Sequence, residues 1–186
     1  MYRIAPPTYT VYAIWCTFVA MEYTKLRESD LAFFRGLLGD EYVMNGEEAI
    51  AKYSRDETDG VSFPPDVVLK PADTAQISAI MKYCNENKIP VSPRAVGTGL
   101  SANSLCVYGG AMLLTDRLNK ILKIDERNLQ VTTEPGVITQ VLQEAVQAVG
   151  LFYPPDPSSR GTCFIGGNVA ENSGGPKAVK YGVVKD

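Results

Sequence analysis

From Pro64 onward the hydrophobic and polar positions fall into a regular pattern. The run PPDVVLK predicts a short apolar strand at Val67–Leu69. In PADTAQISAIMKYCNENKI, Ile77, Ile80, Met81 and Cys84 recur at i, i+3, i+4 and i+7, which is one face of a helix that Asp73 can cap. IPVSPR predicts a second strand, so the unit reads strand, helix, strand, and such units place parallel neighbours through a right-handed crossover. Further strands are expected at 111–114, 121–124 and 130–134, the last two joined by a turn at DERN. Gly136 then introduces a helix with Ile138, Val141, Leu142, Ala145 and Val149 on one face, ended by Gly150. LFYPPDP predicts a strand running into a proline-fixed loop. Ahead of this block, Ser29 or Asp30 caps a short helix that carries Leu31, Phe34, Leu37 and Leu38 on one face and stops at Gly39. The expectation is an α+β chain with three parts: an extension over 1–28, a helical lead-in over 29–63, and a main domain over 64–186.

Composition narrows the chemistry. At 186 residues and 45% hydrophobic content the chain can supply a real core. Eighteen basic against 21 acidic residues, with no Lys/Arg run, argue against a nucleic-acid partner. The absence of histidine removes the Ser-His and Cys-His nucleophile pairs and every histidine-containing metal site. Four cysteines without a CxxC pair predict no metal site and unpaired thiols in a reducing compartment, hence a cytoplasmic protein or one peripheral to a membrane. The apolar run over residues 9–21 is shorter than the ~20 residues of a transmembrane helix. Two readings stay open for it. Arg3 before an apolar stretch is signal-like, although no small-x-small cleavage site follows, or Met21 is the natural start and the first twenty residues are upstream sequence.

Two glycine-rich loops, 94–110 and 161–175, fit neither a helix nor a linker. In PRAVGTGLSANS, Gly97, Gly99 and Ala102 formally satisfy GxGxxG/A, but that fingerprint needs a helix opening at the loop, and LSANSLCVYGGAMLLT shows no helical period. The residues still suit an anion cradle, with main-chain N–H groups turned inward and hydroxyls from Thr98 and Ser101. Arg94 adds charge to such a cradle or forms a surface ion pair, and an ordinary glycine turn between strands is the alternative. In YPPDPSSRGTCFIGGNVAENSGG three prolines fix backbone direction, Gly166 and Gly167 permit close approach, and 168–172 reads as a single helical turn with free amides at its start.

In this order, PRAVGTGLS, EPGV, YPPDPSS and IGGNVAENSGGPKAVKYGVVKD resemble the FAD-binding domain of the vanillyl-alcohol oxidase and PCMH flavoproteins. Within them the branch that unites the D-type chain of glycolate oxidase with the D-lactate and D-2-hydroxyglutarate dehydrogenases is the most similar, over about residues 29–186. The resemblance implies a PCMH-type FAD-binding domain of two α+β subdomains, the second truncated, with FAD extended between them. By motif position, Gly97, Thr98, Gly99, Leu100 and Ser101, with Arg94, would hold the pyrophosphate. Glu134, Pro135 and Gly136 would lie beside the cofactor, and Pro154, Asp156 and Ser158 would approach the flavin end. Ile165, Gly166, Gly167, Asn168, Ala170 and Gly174 would form the second wall. Tyr181 and Gly182 match the end of the motif.

Two departures bear on affinity. Ala95 stands where the branch commonly has glycine, and Ala102-Asn103 where it has two; an alanine forced to positive φ costs about 1–2 kcal/mol. Attachment of FAD through histidine is ruled out, so the implied cofactor is non-covalent FAD. The implied activity is oxidation of a 2-hydroxy acid, of glycolate or D-lactate type, to a 2-oxo acid by hydride transfer to the flavin. The resemblance places the substrate cap and the catalytic residues beyond the matched stretch, so catalytic residues are unassigned and the chain reads as an N-terminal fragment. Iron-sulfur or other electron-acceptor subunits are the implied partners. The alternatives are a non-catalytic FAD-binding subunit acting through partner chains and a nicotinamide-dependent Rossmann enzyme.

Overall fold

The computed structural model describes residues 22–184; the apolar run over 9–21, Cys16 and the two readings of the chain's start lie outside the described residues. Helix α1 (Glu28–Leu38) turns Leu31, Phe34 and Leu38 inward and ends at Gly39, which adopts φ +93°. Neither Ser29 nor Asp30 is the cap. Arg27 occupies that position and Asp30 sits three residues on, where its Oδ2 accepts the Arg27 main-chain N–H at 2.7 Å. A two-residue strand β1 (Val43–Met44) and a short helix α2 (Glu47–Tyr53) follow.

Strand β2 (Val67–Leu69), helix α3 (Thr74–Glu86) and strand β3 (Val91–Arg94) form the expected unit, and Asp73 caps α3 by accepting from Gln76 N–H at 2.8 Å. The strands of that unit are not neighbours. Strand β4 (Ala111–Leu114) inserts between them, parallel to both, and β1 adds antiparallel to β2, so the sheet order is β1-β2-β4-β3. All four residues of β4 are buried, as a central strand covered on both faces requires. The period of two sorts the side chains. Val67, Leu69, Ala111 and Leu113 pack against α1 and α3, whereas Val68, Met112 and Leu114 pack against Cys106 and the α2 residues Ile50 and Tyr53. Met81, grouped by period with the inner face of α3, is 47% exposed because no element covers that side of the helix.

The second unit is built on the antiparallel hairpin of β5 (Ile121–Asp125) and β6 (Gln130–Thr133). Helix α4 (Thr139–Gln147) lays Leu142 and Val146 beside Val137 and Ile165, with Ile121, Ile124, Val131, Leu151 and Tyr153 packed around them. Val141 and Val149, expected on that face, point outward. Residues 151–157 form no strand, since prolines 154, 155 and 157 each lack the N–H that a ladder needs. Helix α5 (Ile165–Ala170) begins before the expected turn, and its first two amides are engaged: Ile165 N–H donates to Val137 (2.9 Å) and Gly166 N–H to Pro135 (2.8 Å). Thr139 N–H to Cys163 and Gln140 N–H to Arg160, both 3.0 Å, continue a main-chain seam between 135–140 and 160–166. A last short helix, α6, covers Ala178–Tyr181. No helix among the described residues is long and apolar enough to cross a membrane. The architecture is α+β, as expected.

Candidate functional site

Strand β3 delivers Arg94 to the base of the first glycine loop. Its side chain is 6% exposed and folds under the loop rather than into solvent. Nη2 donates to the Arg55 carbonyl at 2.8 Å and reaches the Val96 carbonyl at 3.4 Å, while Nε and Nη1 are buried without a partner. Burial pushes the guanidinium's pKa down and the nearby Asp56 carboxylate opposes that shift. The chain crosses above the guanidinium at Gly97, whose φ of +89° and contact with Arg94 leave no room for a Cβ. Gly99 differs: φ is not positive and nothing lies within 4 Å of where its Cβ would stand.

The main-chain N–H groups of Gly97, Thr98, Gly99, Leu100 and Ser101 have no acceptor among the described residues. Leu100 is 74% exposed, so solvent reaches the loop tip, and a row of donors without a protein acceptor on a glycine loop is a geometry that suits an anion. The loop returns through Ala102, at φ +56°, whose N–H donates to Thr58 Oγ1 at 2.8 Å. The strain foreseen at Ala95 is absent, because Ala95 does not have positive φ. It falls on Ala102 instead.

Facing this loop is the wall of α5 and the 157–164 loop. Gly166 lets its backbone meet Pro135, where a Cβ would stand 2.8 Å from that of the proline, and Gly167 faces Ala95. Asn168 is 2% exposed and donates through Nδ2 to Thr139 Oγ1, which also contacts Cys163 Sγ at 3.2 Å. Asn103 Nδ2 reaches Glu171 Oε1 (3.0 Å) and joins the two walls at one edge. Between them lies a cleft of about 530 Å³, within the range of small-molecule and cofactor sites.

Eleven of the anticipated site residues line this cleft together: Arg94, Gly97, Thr98, Gly99, Leu100, Pro135, Ser158, Gly166, Gly167, Asn168 and Ala170. The other seven stand behind it or beside it. Ser101 and Pro154 are outside the lining, and Ile165 is buried beneath the wall in the second core. Glu134 closes the β5–β6 hairpin, its Oε2 accepting Lys120 N–H at 2.8 Å. Gly136 is pressed against the backbone of Thr115 and Leu118. Asp156 is ion-paired with Arg160 (2.7 Å) and Lys177 (3.0 Å), which lower its pKa, and its N–H donates to the Gly174 carbonyl at 2.7 Å. Asp156 and Gly174 thus brace the loop behind the wall. Sequence reasoning missed Asp56, Asn103, Ser104 and Thr115. Asp56 sits in SRDETDG, a polar segment without apolar period, so nothing in the pattern marks it.

The donor set is one for an extended anionic ligand. Asp56 and Glu171, the cleft's carboxylates, already accept hydrogen bonds from Thr58 N–H and Ser104, and from Asn103.

The chain is 48% identical over 134 residues to glycolate oxidase subunit GlcD of Bacillus subtilis (strain 168), covering 72% of this chain and 28% of that protein. It is 42% identical over 122 residues to D-lactate dehydrogenase of Anaerostipes hadrus, covering 66% and 26%. The chain therefore spans under a third of the length of these relatives. Among solved structures, an alkyldihydroxyacetonephosphate synthase superposes with a TM-score of 0.77 over 89% of this chain and 36% of its own, at 17% identity, a likeness of fold. Residues 65–186 match the FAD binding domain, and the chain belongs to that family.

Proposed function

We propose that this chain forms the FAD-binding part of a flavin-dependent oxidoreductase that oxidises a 2-hydroxy acid of glycolate or D-lactate type to the 2-oxo acid. The observation that carries the reading is the row of acceptorless amides from Gly97 to Ser101, on a loop whose residues Gly97 to Leu100 line one cleft with Gly166 and Gly167. These amides, with the Thr98 hydroxyl, bind the diphosphate of FAD, and the buried Arg94 adds positive potential from below. Gly166, Gly167 and Ala170 form the opposite wall, and Pro135 and Ser158 extend the lining. Glu134, Gly136, Pro154, Asp156, Ile165, Asn168 and Gly174 hold that wall in place. When bound, FAD supplies the redox chemistry, taking up a hydride equivalent from the substrate. Binding is non-covalent: there is no histidine, and Cys163 is buried against Thr139.

A division at about residue 64, with 29–63 as the lead-in, is one of sequence match rather than of packing, since α1 and β1 share a core and a sheet with β2 and β4. The buried, unpaired Cys84, Cys106 and Cys163 support a reducing, cytoplasmic setting, with peripheral membrane contact through partner chains. A second reading, an FAD-binding subunit that works only with other chains, is favoured by the word "subunit" in the name of the Bacillus relative. An electron-accepting chain, iron-sulfur or otherwise, is the partner in both readings. A visible spectrum of the purified chain with FAD, before and after D-lactate or glycolate, tests them. Flavin bands that stay with the protein support the cradle, and their bleaching by the hydroxy acid supports catalysis. A folded protein that leaves FAD free refutes the site.

A further inference from the structure

The segment 55–58 precedes the matched family domain and carries no motif, yet both limbs of the glycine loop are fastened to it. The outgoing limb is held where Arg94 Nη2 donates to the Arg55 carbonyl at 2.8 Å. The returning limb is held twice: Ala102 N–H donates to Thr58 Oγ1 (2.8 Å), and Ser104 Oγ donates to Asp56 Oδ2 (3.1 Å). Asp56 Oδ1 in turn accepts Thr58 N–H at 2.9 Å, which fixes the segment itself. Between these fastenings, the five amides of the loop tip have no protein partner among the described residues. A loop whose tip amides make no bond within the protein gains nothing internal from that shape, so something outside it must impose the shape. Ala102 is the local instance. At φ +56° an alanine prefers other conformations; the Thr58 hydroxyl, which accepts its N–H, is the contact from outside the loop that rewards this one, beside the Leu105 N–H that donates to its carbonyl at 3.2 Å.

We infer that residues 55–58 are a clamp that pre-organises the diphosphate loop, with Thr58 and Asp56 as positioning residues of the cofactor site. The inference rests on the proposal that the loop binds FAD. It makes the lead-in part of the binding site, although neither Thr58 nor Arg55 lines the cleft. Thr58→Val keeps the shape of the side chain and removes the acceptor, whereas Thr58→Ser keeps the acceptor.

The test is titration of the full chain and its variants with FAD, read by flavin fluorescence, together with thermal unfolding of each without ligand. Thr58→Val is expected to bind FAD roughly 5- to 30-fold more weakly, the loss of one hydrogen bond that holds the bound shape. Thr58→Ser restores the affinity, and the ligand-free unfolding midpoints of the three proteins agree. In the Thr58→Val background, Ala102→Gly recovers part of the loss, since glycine adopts positive φ unaided. Gly99→Leu, which fills the open cradle, serves as the control. If Gly99→Leu abolishes binding while Thr58→Val binds like wild type, the clamp is refuted and the flavin site stands. A serine variant that fails to restore affinity, with an unfolding midpoint lowered in parallel, also refutes the clamp. If wild type ignores FAD, or binds it no better than Gly99→Leu, the flavin site is refuted and the clamp with it.

Discussion

Gly97 and Gly99 are two residues apart in one loop, yet a methyl group added at each meets different surroundings. In Gly97→Ala the new Cβ stands at φ +89° and collides with the Arg94 guanidinium at Nη2, Cζ and Nε. The backbone term costs about 1–2 kcal/mol. Arg94 is buried and cannot swing into water, so yielding means breaking its bond to the Arg55 carbonyl. A charge-assisted bond of that kind contributes about 1.5–3 kcal/mol, which brings the total to about 3–5 kcal/mol. For a chain of this size each kcal/mol moves the midpoint by about 2–4 °C, so thermal unfolding should shift down by about 6–20 °C. Gly99→Ala meets open space without positive φ and should unfold within about 2 °C of wild type. Its methyl group enters the cleft instead, and FAD affinity should fall several-fold. Circular dichroism melts of the two variants beside flavin titrations separate the effects. Equal midpoints for Gly97→Ala and wild type would refute the packing of Arg94 beneath the loop.

Three further outcomes are expected. Ala102→Gly relieves about 1–2 kcal/mol of strain against about 0.5–1 kcal/mol of added chain freedom, so its melting point should hold or rise slightly; a fall of several degrees contradicts the reading. Gly136→Ala drives a Cβ into the Leu118 carbonyl, 2.6 Å from where it would stand, and that of Thr115. Both are main chain and cannot yield cheaply, so urea denaturation should show a loss of about 3 kcal/mol or more. Asp30 is fully buried, and hydrogen bonds from Arg27 first, then Tyr83, hold its pKa at about 2 against an ordinary 3.8. Between those values the unfolded chain binds the proton and the folded chain does not. The stabilisation is thus complete above about pH 4 and lost as the pH falls toward 2, and Asp30→Asn should flatten that part of an acid-unfolding curve.

Local pattern carries much of this fold in the sequence. Val67–Leu69 and Ala111–Leu114 are legible because a strand buried on both faces is a short unbroken apolar run. Strand order is not legible: the insertion of β4 between β2 and β3 depends on pairing between residues 20 and 44 positions apart, which no local period encodes. Met81, Val141 and Val149 share the inward face by period and still lie exposed, because helical period reports a face, not whether a neighbour covers it. The 151–157 stretch shows the opposite failure, in which apolar residues suggest a ladder that three prolines prevent. At the site, glycine content locates both walls, but it does not distinguish Gly99, open to the cleft, from Gly136, pressed on backbone. The clamp is invisible because hydroxyl and carboxylate side chains in a polar loop look like solvated surface until their partners are known.

The seam between 135–140 and 160–166 joins main chain to main chain. Such bonds do not depend on the side chains of Thr162 and Phe164, so those two can be replaced without breaking the seam, whereas Thr139 and Asn168 add a side-chain bond across it. Gly166 cannot be replaced, because its freedom from a Cβ is what lets the seam close over Pro135. The wall can therefore take new side chains where they face outward from the seam while its main chain keeps its position opposite the first glycine loop.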